Sequence, residues 1–183
     1  MTTPGMVRCV ALLRGVNVGG ISIKSADLAE LFRALGFENV RTVLASGNVV
    51  FDAEVTTDAP DAAALKLRIE TALSERFGYD AWIVLEPLGR VQSVIEQFPF
   101  DATRDGWHPY VLFSSDAASL AELMAAAPTL DPDDEIVVEG DGVLYWHCRR
   151  EVGVNSAFSK LTAKARFRSS TTNRNLRTLM KLA

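Results

Sequence analysis

Apolar residues recur along the chain with two periods, and the switches between those periods mark out the elements. Residues 7–13, Val-Arg-Cys-Val-Ala-Leu-Leu, form a short apolar run closed by a Gly-rich turn, which predicts a buried strand. Leu28, Leu31, Phe32 and Leu35 then fall at helical spacing, with Ser25 as the cap and Gly36 where a left-handed helix end belongs. Residues 40–45 and 49–52 are β-branched and apolar on either side of Ser46-Gly47-Asn48, a hairpin turn. Pro60 suits a first helical position, Leu65, Ile69, Leu73 and Phe77 share one face, and Gly78 ends that helix. Trp82 to Leu85 reads as a fourth strand, so the order is β-α-β-β-α-β.

A helix from about Pro87 to Phe98 follows, with Leu88, Val91, Ile95 and Phe98 on one face, and then a polar, turn-rich stretch from Pro99 to Pro109. Beyond it the plan repeats. Tyr110–Ser114 is a strand and Asp116–Ala127 a helix. Glu135–Glu139 and Val143–Cys148 are strands joined by Gly140-Asp141-Gly142. Ser156–Arg166 is a helix, Ser169–Thr172 a short strand, and Asn173 caps a last helix. The expected fold is α+β, with two tandem ferredoxin-like halves whose antiparallel sheets carry helices on one face. Residues 1–86 form the first half, 87–108 the connecting helix and linker, and 109–183 the second half with a basic C-terminal helix.

This topology has a spatial consequence. The first and second strands run parallel, with the third antiparallel between them. The loop Arg14–Gly20 and the hairpin tip Ser46–Asn48 therefore meet at one end of the sheet, and Gly78–Asp80 arrives at the same end.

Composition narrows the class. The chain has 183 residues, 48% hydrophobic and 23% charged, which excludes an intrinsically disordered chain. Two cysteines, Cys9 and Cys148, cannot build a disulfide framework or a four-ligand zinc site. No run reaches the ~18 apolar residues of a membrane helix, and Arg8 and Arg14 interrupt the start, so no signal peptide, no membrane partner and a cytoplasmic location are expected. Charge is unevenly placed. Residues 1–148 hold 10 Lys+Arg against 22 Asp+Glu, a net −12, while residues 149–183 hold 9 Lys+Arg and only Glu151, a net +8. Such a tail either folds against the acidic remainder or presents an anion-binding patch.

Candidate chemistry is limited. The loop Arg14-Gly15-Val16-Asn17-Val18-Gly19-Gly20 joins strand to helix, where glycines let backbone N–H groups turn toward an anion and an arginine can clamp it. The same glycines equally serve a plain tight turn. Ile21 stands where a phosphate-gripping P-loop lysine belongs, so a nucleotide-hydrolase loop is excluded. The third strand, Val49-Val50-Phe51-Asp52, lacks the aromatic pattern of an RNA-recognition sheet. His108 and His147 have no metal-like spacing to other ligands, and Asp131, Asp133, Asp134 and Glu135 read as a solvated turn. Neither a metal nor a cofactor is expected.

The runs Ala11-Leu12-Leu13-Arg14-Gly15-Val16-Asn17-Val18-Gly19-Gly20, Leu35-Gly36-Phe37 and Ser46-Gly47-Asn48-Val49-Val50-Phe51 resemble the bacterial domain-of-unknown-function 1697 family. Ser159-Lys160-Leu161 and Thr172-Asn173-Arg174-Asn175 are similar to its C-terminal signature. Leu176 replaces the tryptophan that the family usually carries after the Arg-Asn pair. The resemblance implies a paired α+β architecture and no activity. Its matched positions are rich in Arg, Lys, Asn, Ser and Gly, which suits holding a phosphate better than abstracting a proton. The candidate ligand-binding residues are Arg14, Gly15, Asn17, Gly19, Ser46, Asn48, Lys160, Arg174 and Asn175; no residue is assigned to catalysis. The leading expectation is a binding module for a phosphate-containing small molecule or nucleic acid. The alternatives are an enzyme on a phosphorylated or carboxylated substrate, with Asp80 or Glu86 as base, and a structural or interaction module. Oligomeric state is left open.

Overall fold

The computed structural model describes residues 5–17, 21–45, 47–55 and 59–183. They divide into two compact units, Met1–Arg90 with Leu182–Ala183, and Val91–Lys181.

The first unit holds β1 (Gly5–Arg14), α1 (Ser25–Ala34), β2 (Glu38–Val43), β3 (Asn48–Val55), α2 (Ala59–Phe77) and β4 (Trp82–Pro87). Its strands pair antiparallel in the order β2-β3-β1-β4, the ferredoxin-like arrangement. Strand alternation turns Cys9, Ala11 and Leu13 of β1 toward one core with Phe32, Ile69 and Leu73 of the helices. Phe51 lies at its centre, 5.1 Å from the Phe32 ring and 4.6 Å from that of Phe37. Ser25 is the first helical residue rather than the cap. Lys24 takes the cap position and makes no side-chain cap bond, so α1 depends on its apolar face.

The second unit begins within α3 (Leu88–Glu96). It repeats the plan as β5 (Trp107–Ser114), α4 (Ala117–Met124), β6 (Glu135–Glu139), β7 (Val143–Arg149), α5 (Ala157–Thr162) and β8 (Thr171–Asn175), and adds α6 (Leu176–Met180). Sheet order is β6-β7-β5-β8, the same arrangement again. Leu112, Leu123, Leu144, Trp146, Phe158 and Phe167 form its core. The last strand lies two to three residues later than its sequence suggests, and the cap moves from Asn173 to Asn175. Pairing with β5 sets this register, with Tyr110 opposite Asn175. Ser156 caps α5 instead of opening it, its hydroxyl accepting from Ser159 N–H, and that helix stops at Thr162, short of Arg166, with a separate 3-10 turn over Ala165–Phe167. Among the described residues no helix is long and apolar enough to cross a membrane.

The stretch after α3 packs aromatically on the second sheet. Phe100 stacks on His147 at 5.2 Å, Trp107 lies 5.0 Å from the same ring, and the Arg104 guanidinium covers Trp107 at 3.8 Å. Tyr145 donates to Val94 O at 3.0 Å. His147 is 2% exposed, and its Nε2 has no hydrogen-bond partner among the described residues. Burial pulls its proton affinity below the ordinary histidine value, Arg104 adds to this, and Asp101 opposes it. The unfolded chain therefore takes up the proton first as pH falls. Stability is expected to be complete above the ordinary histidine range and to decline through and below it. Urea unfolding at pH values from about 7.5 to about 5.5 measures the slope, and His147→Phe should flatten it. Equal slopes for parent and variant would refute the assignment.

Candidate functional site

At the C-terminal end of β1 the register sets Leu12 opposite Asn48, Leu13 opposite Ile83 and Arg14 opposite Trp82. The loop after β1, the β2–β3 hairpin tip and the start of β4 thus share one rim, as the topology requires. Two asparagines stitch that rim together. Asn17, at φ +58°, donates its side-chain Nδ2 to Ala45 O and accepts from Ile23 N–H at 3.1 Å. Its own N–H reaches Ile21 O at 2.6 Å. Both ends of the amide are therefore engaged in bracing loop against hairpin. Asn48 is fully buried and donates to Val43 O at 2.9 Å, closing the hairpin from inside. Gly15 is exposed at φ +76° with open space around it, Arg14 is half-buried, and Trp82 is 40% exposed. Gly19 and Ser46 lie outside the described residues.

Of the two acids proposed for the rim, Glu86 lies away from it and Asp80 at it. Glu86 stands opposite Val10, four residues along β4 from Trp82 and roughly 13 Å away at strand rise. Its carboxylate takes Arg90 at 3.1 Å. Asp80 is exposed at the entry to β4. Both thiols, Cys9 and Cys148, are free and buried, and burial pushes each up to about 11. They are protonated near neutral pH and make poor nucleophiles. Among the described residues no group of three or more His, Cys, Asp or Glu is arranged to hold a metal ion.

The remaining candidates stand in the second unit. Lys160 is exposed in the last turn of α5. Arg174 and Asn175 are successive residues of β8 and point to opposite faces, so they cannot close together on one ligand. Arg174 is buried and donates to Thr172 Oγ1 at 2.6 Å and Asn173 O at 2.9 Å. The Asn175 side chain caps α6 by accepting from Arg177 N–H at 2.9 Å.

The basic tail is neutralised only in part. Arg149 pairs with Asp134 and Glu151, and Arg166 with Glu122. Arg150, Lys160, Lys164, Arg168 and Arg177 have no carboxylate partner among the described residues. Two of these flank a histidine. His108 lies opposite Cys148 near the start of β5, its buried Nδ1 has no partner among the described residues, and both Arg150 and Arg177 act on its charge. Residue spacing conceals this grouping, which three separate segments create; only the pairing of β5 with β7 and β8 brings it together. The acidic turn also reads differently in three dimensions. Asp134 is half-spent on Arg149, and Glu135 is not solvated at all but 3% exposed, accepting from Trp146 Nε1–H and Phe158 N–H, each at 3.0 Å.

Comparison with known proteins agrees with this architecture. The conserved bacterial protein SP0830 from Streptococcus pneumoniae has a similar solved structure, with a TM-score of 0.77, 26% sequence identity and 97% of each chain covered. No curated protein matches the chain. The model of the family described as "Protein of unknown function (DUF1697)" matches residues 6–145, well over half the sequence, and the chain belongs to that family.

Proposed function

We propose that the protein is a binding module for an anionic ligand that carries phosphate. The observation that supports this reading is the set of tail cations left without carboxylate partners once Arg149 and Arg166 are paired. A tail that merely folded against the acidic remainder would neutralise its charges internally. Five of its cations instead stay available to a guest, and all of them are exposed. Arg, Lys and exposed backbone N–H groups are the usual partners of phosphate oxygens. A catalytic reading has less to draw on, since Glu86 is ion-paired away from the rim and both thiols are held protonated.

Titration with a mononucleotide, a single-stranded RNA and a duplex DNA at low and high salt tests the proposal. Binding at low salt that weakens steeply as salt rises is the expected result, because phosphate contacts release counterions and are screened. No binding of any of the three at low salt would overturn it.

A further inference from the structure

We propose that Arg150, Arg177 and His108 form one site for a phosphoryl dianion, and that His108 takes up a proton when the anion binds. The inference rests on the anion-binding reading above and gives it a place within the second unit.

Three segments build the site. Arg150 N–H donates to Gly106 O at 2.8 Å, which ties the residue after β7 to the residue before β5. His108 lies just inside this tie, opposite Cys148. Two residues on, Tyr110 is opposite Asn175, and the Asn175 side chain holds Arg177 N–H in the first turn of α6. The start of β5 and the ends of β7 and β8 therefore bring these three residues to one end of the sheet. Both arginines are exposed and have no acid partner among the described residues. Guanidinium groups are suited to gripping the planar edge of a phosphate through two N–H donors at once.

The histidine adds proton coupling. Among the described residues no group bonds its Nδ1, so surrounding charge sets its protonation. Burial lowers its proton affinity first, and Arg150 and Arg177 lower it further. Two titratable neighbours of the imidazole, on β5 and β7, are neutral. Tyr110, 5.8 Å away ring to ring, and Cys148, its register partner, are both held protonated and neutral. Glu135, opposite Cys148 on β6, spends its oxygens on Trp146 and Phe158. An anion seated on the arginines cancels their repulsion, so the imidazole gains a proton from solvent and becomes a third cation. A dianion compensates these charges better than the single charge of an internal phosphodiester. The fitting ligand is thus a terminal phosphate.

Sulfate is the probe of choice, since its charge is constant through the histidine range. The chain has two histidines, His108 and His147, and NMR titration follows both. Sulfate should raise the midpoint of His108 and leave His147 unmoved. Its affinity should rise about threefold or more between pH values of about 7.5 and about 5.5. In the double variant Arg150→Ala with Arg177→Ala the affinity should fall about tenfold or more, and the His108 midpoint should move up without sulfate. In His108→Gln the gain at low pH should vanish, leaving the affinity at pH about 5.5 no higher than that at about 7.5. A nucleoside monophosphate should bind more tightly than a dinucleotide without a terminal phosphate. Unchanged binding in the double variant, or an unmoved His108, overturns this site while the broader reading stands. Failure of the parent protein to bind any anion at low salt removes both.

Discussion

Glu135→Ala is expected to destabilise the second unit by about 3–5 kcal/mol, through the loss of one buried acceptor that serves two donors. The carboxylate is 3% exposed. One oxygen takes the Trp146 indole N–H and the other the Phe158 amide, each at 3.0 Å. Phe158 lies in the first turn of α5, where backbone N–H groups have no partner within the helix. Ser156 satisfies one of these donors from the chain side, and Glu135 satisfies another from the neighbouring strand. Alanine strands both donors in a site that water cannot enter freely, and each stranded donor costs about 1–3 kcal/mol. Glu135→Gln keeps one acceptor oxygen but turns an NH2 group toward the second donor, so about half the loss should remain. Urea unfolding followed by tryptophan fluorescence in a Trp82→Phe background reports on Trp107 and Trp146, both in this unit. A loss below about 1 kcal/mol for Glu135→Ala would show that the carboxylate is not what holds these elements.

The same residue shows what a linear reading misses. Asp131, Asp133, Asp134 and Glu135 look alike in sequence, a run of acids around Pro132. Strand alternation and the tertiary contacts of β6 separate them, leaving Glu135 inside while Asp131 and Asp133 stay exposed. Periodicity served well where elements were long and apolar, as in β1, α1, α2 and the two hairpins, because burial of one face dictates both element and orientation. It failed at β8, whose residues Thr-Thr-Asn-Arg-Asn carry no apolar alternation, so pairing with β5 alone sets their register. The rim of the first unit was legible for a different reason. Topology forces the loop after β1 to meet the hairpin tip whatever side chains they carry. Side-chain roles did not follow from topology: Asn17 and Asn48 look like ligand groups in a motif, yet their amides brace and close the turns. The grouping of His108 with Arg150 and Arg177 lay beyond reach, since it depends on two strand registers at once.

Gly47→Ala tests that rim directly, with an expected loss of about 2–4 kcal/mol, the sum of backbone strain and crowding. Gly47 adopts φ +73°, the left-handed region, where a Cβ costs about 1–2 kcal/mol. The added methyl would sit 2.9 Å from Leu13 Cβ and 3.3 Å from Val16 Cβ. Those atoms are anchored next to the main chain and buried, so they cannot swing aside. Nor can the turn itself retreat, because Gly47 O accepts from Leu13 N–H at 2.8 Å. Gly15→Ala supplies the comparison. That glycine has nearly the same φ, +76°, but nothing within 4 Å of a built Cβ, so it should lose only the conformational part of about 1–2 kcal/mol. Thermal unfolding should then show Gly47→Ala melting roughly 5–15 °C lower than the parent, at about 2–4 °C per kcal/mol, and Gly15→Ala melting between the two. Equal losses for the two variants would mean that the hairpin tip does not press on the end of β1, and the shared rim on which the first unit's loop depends would be wrong.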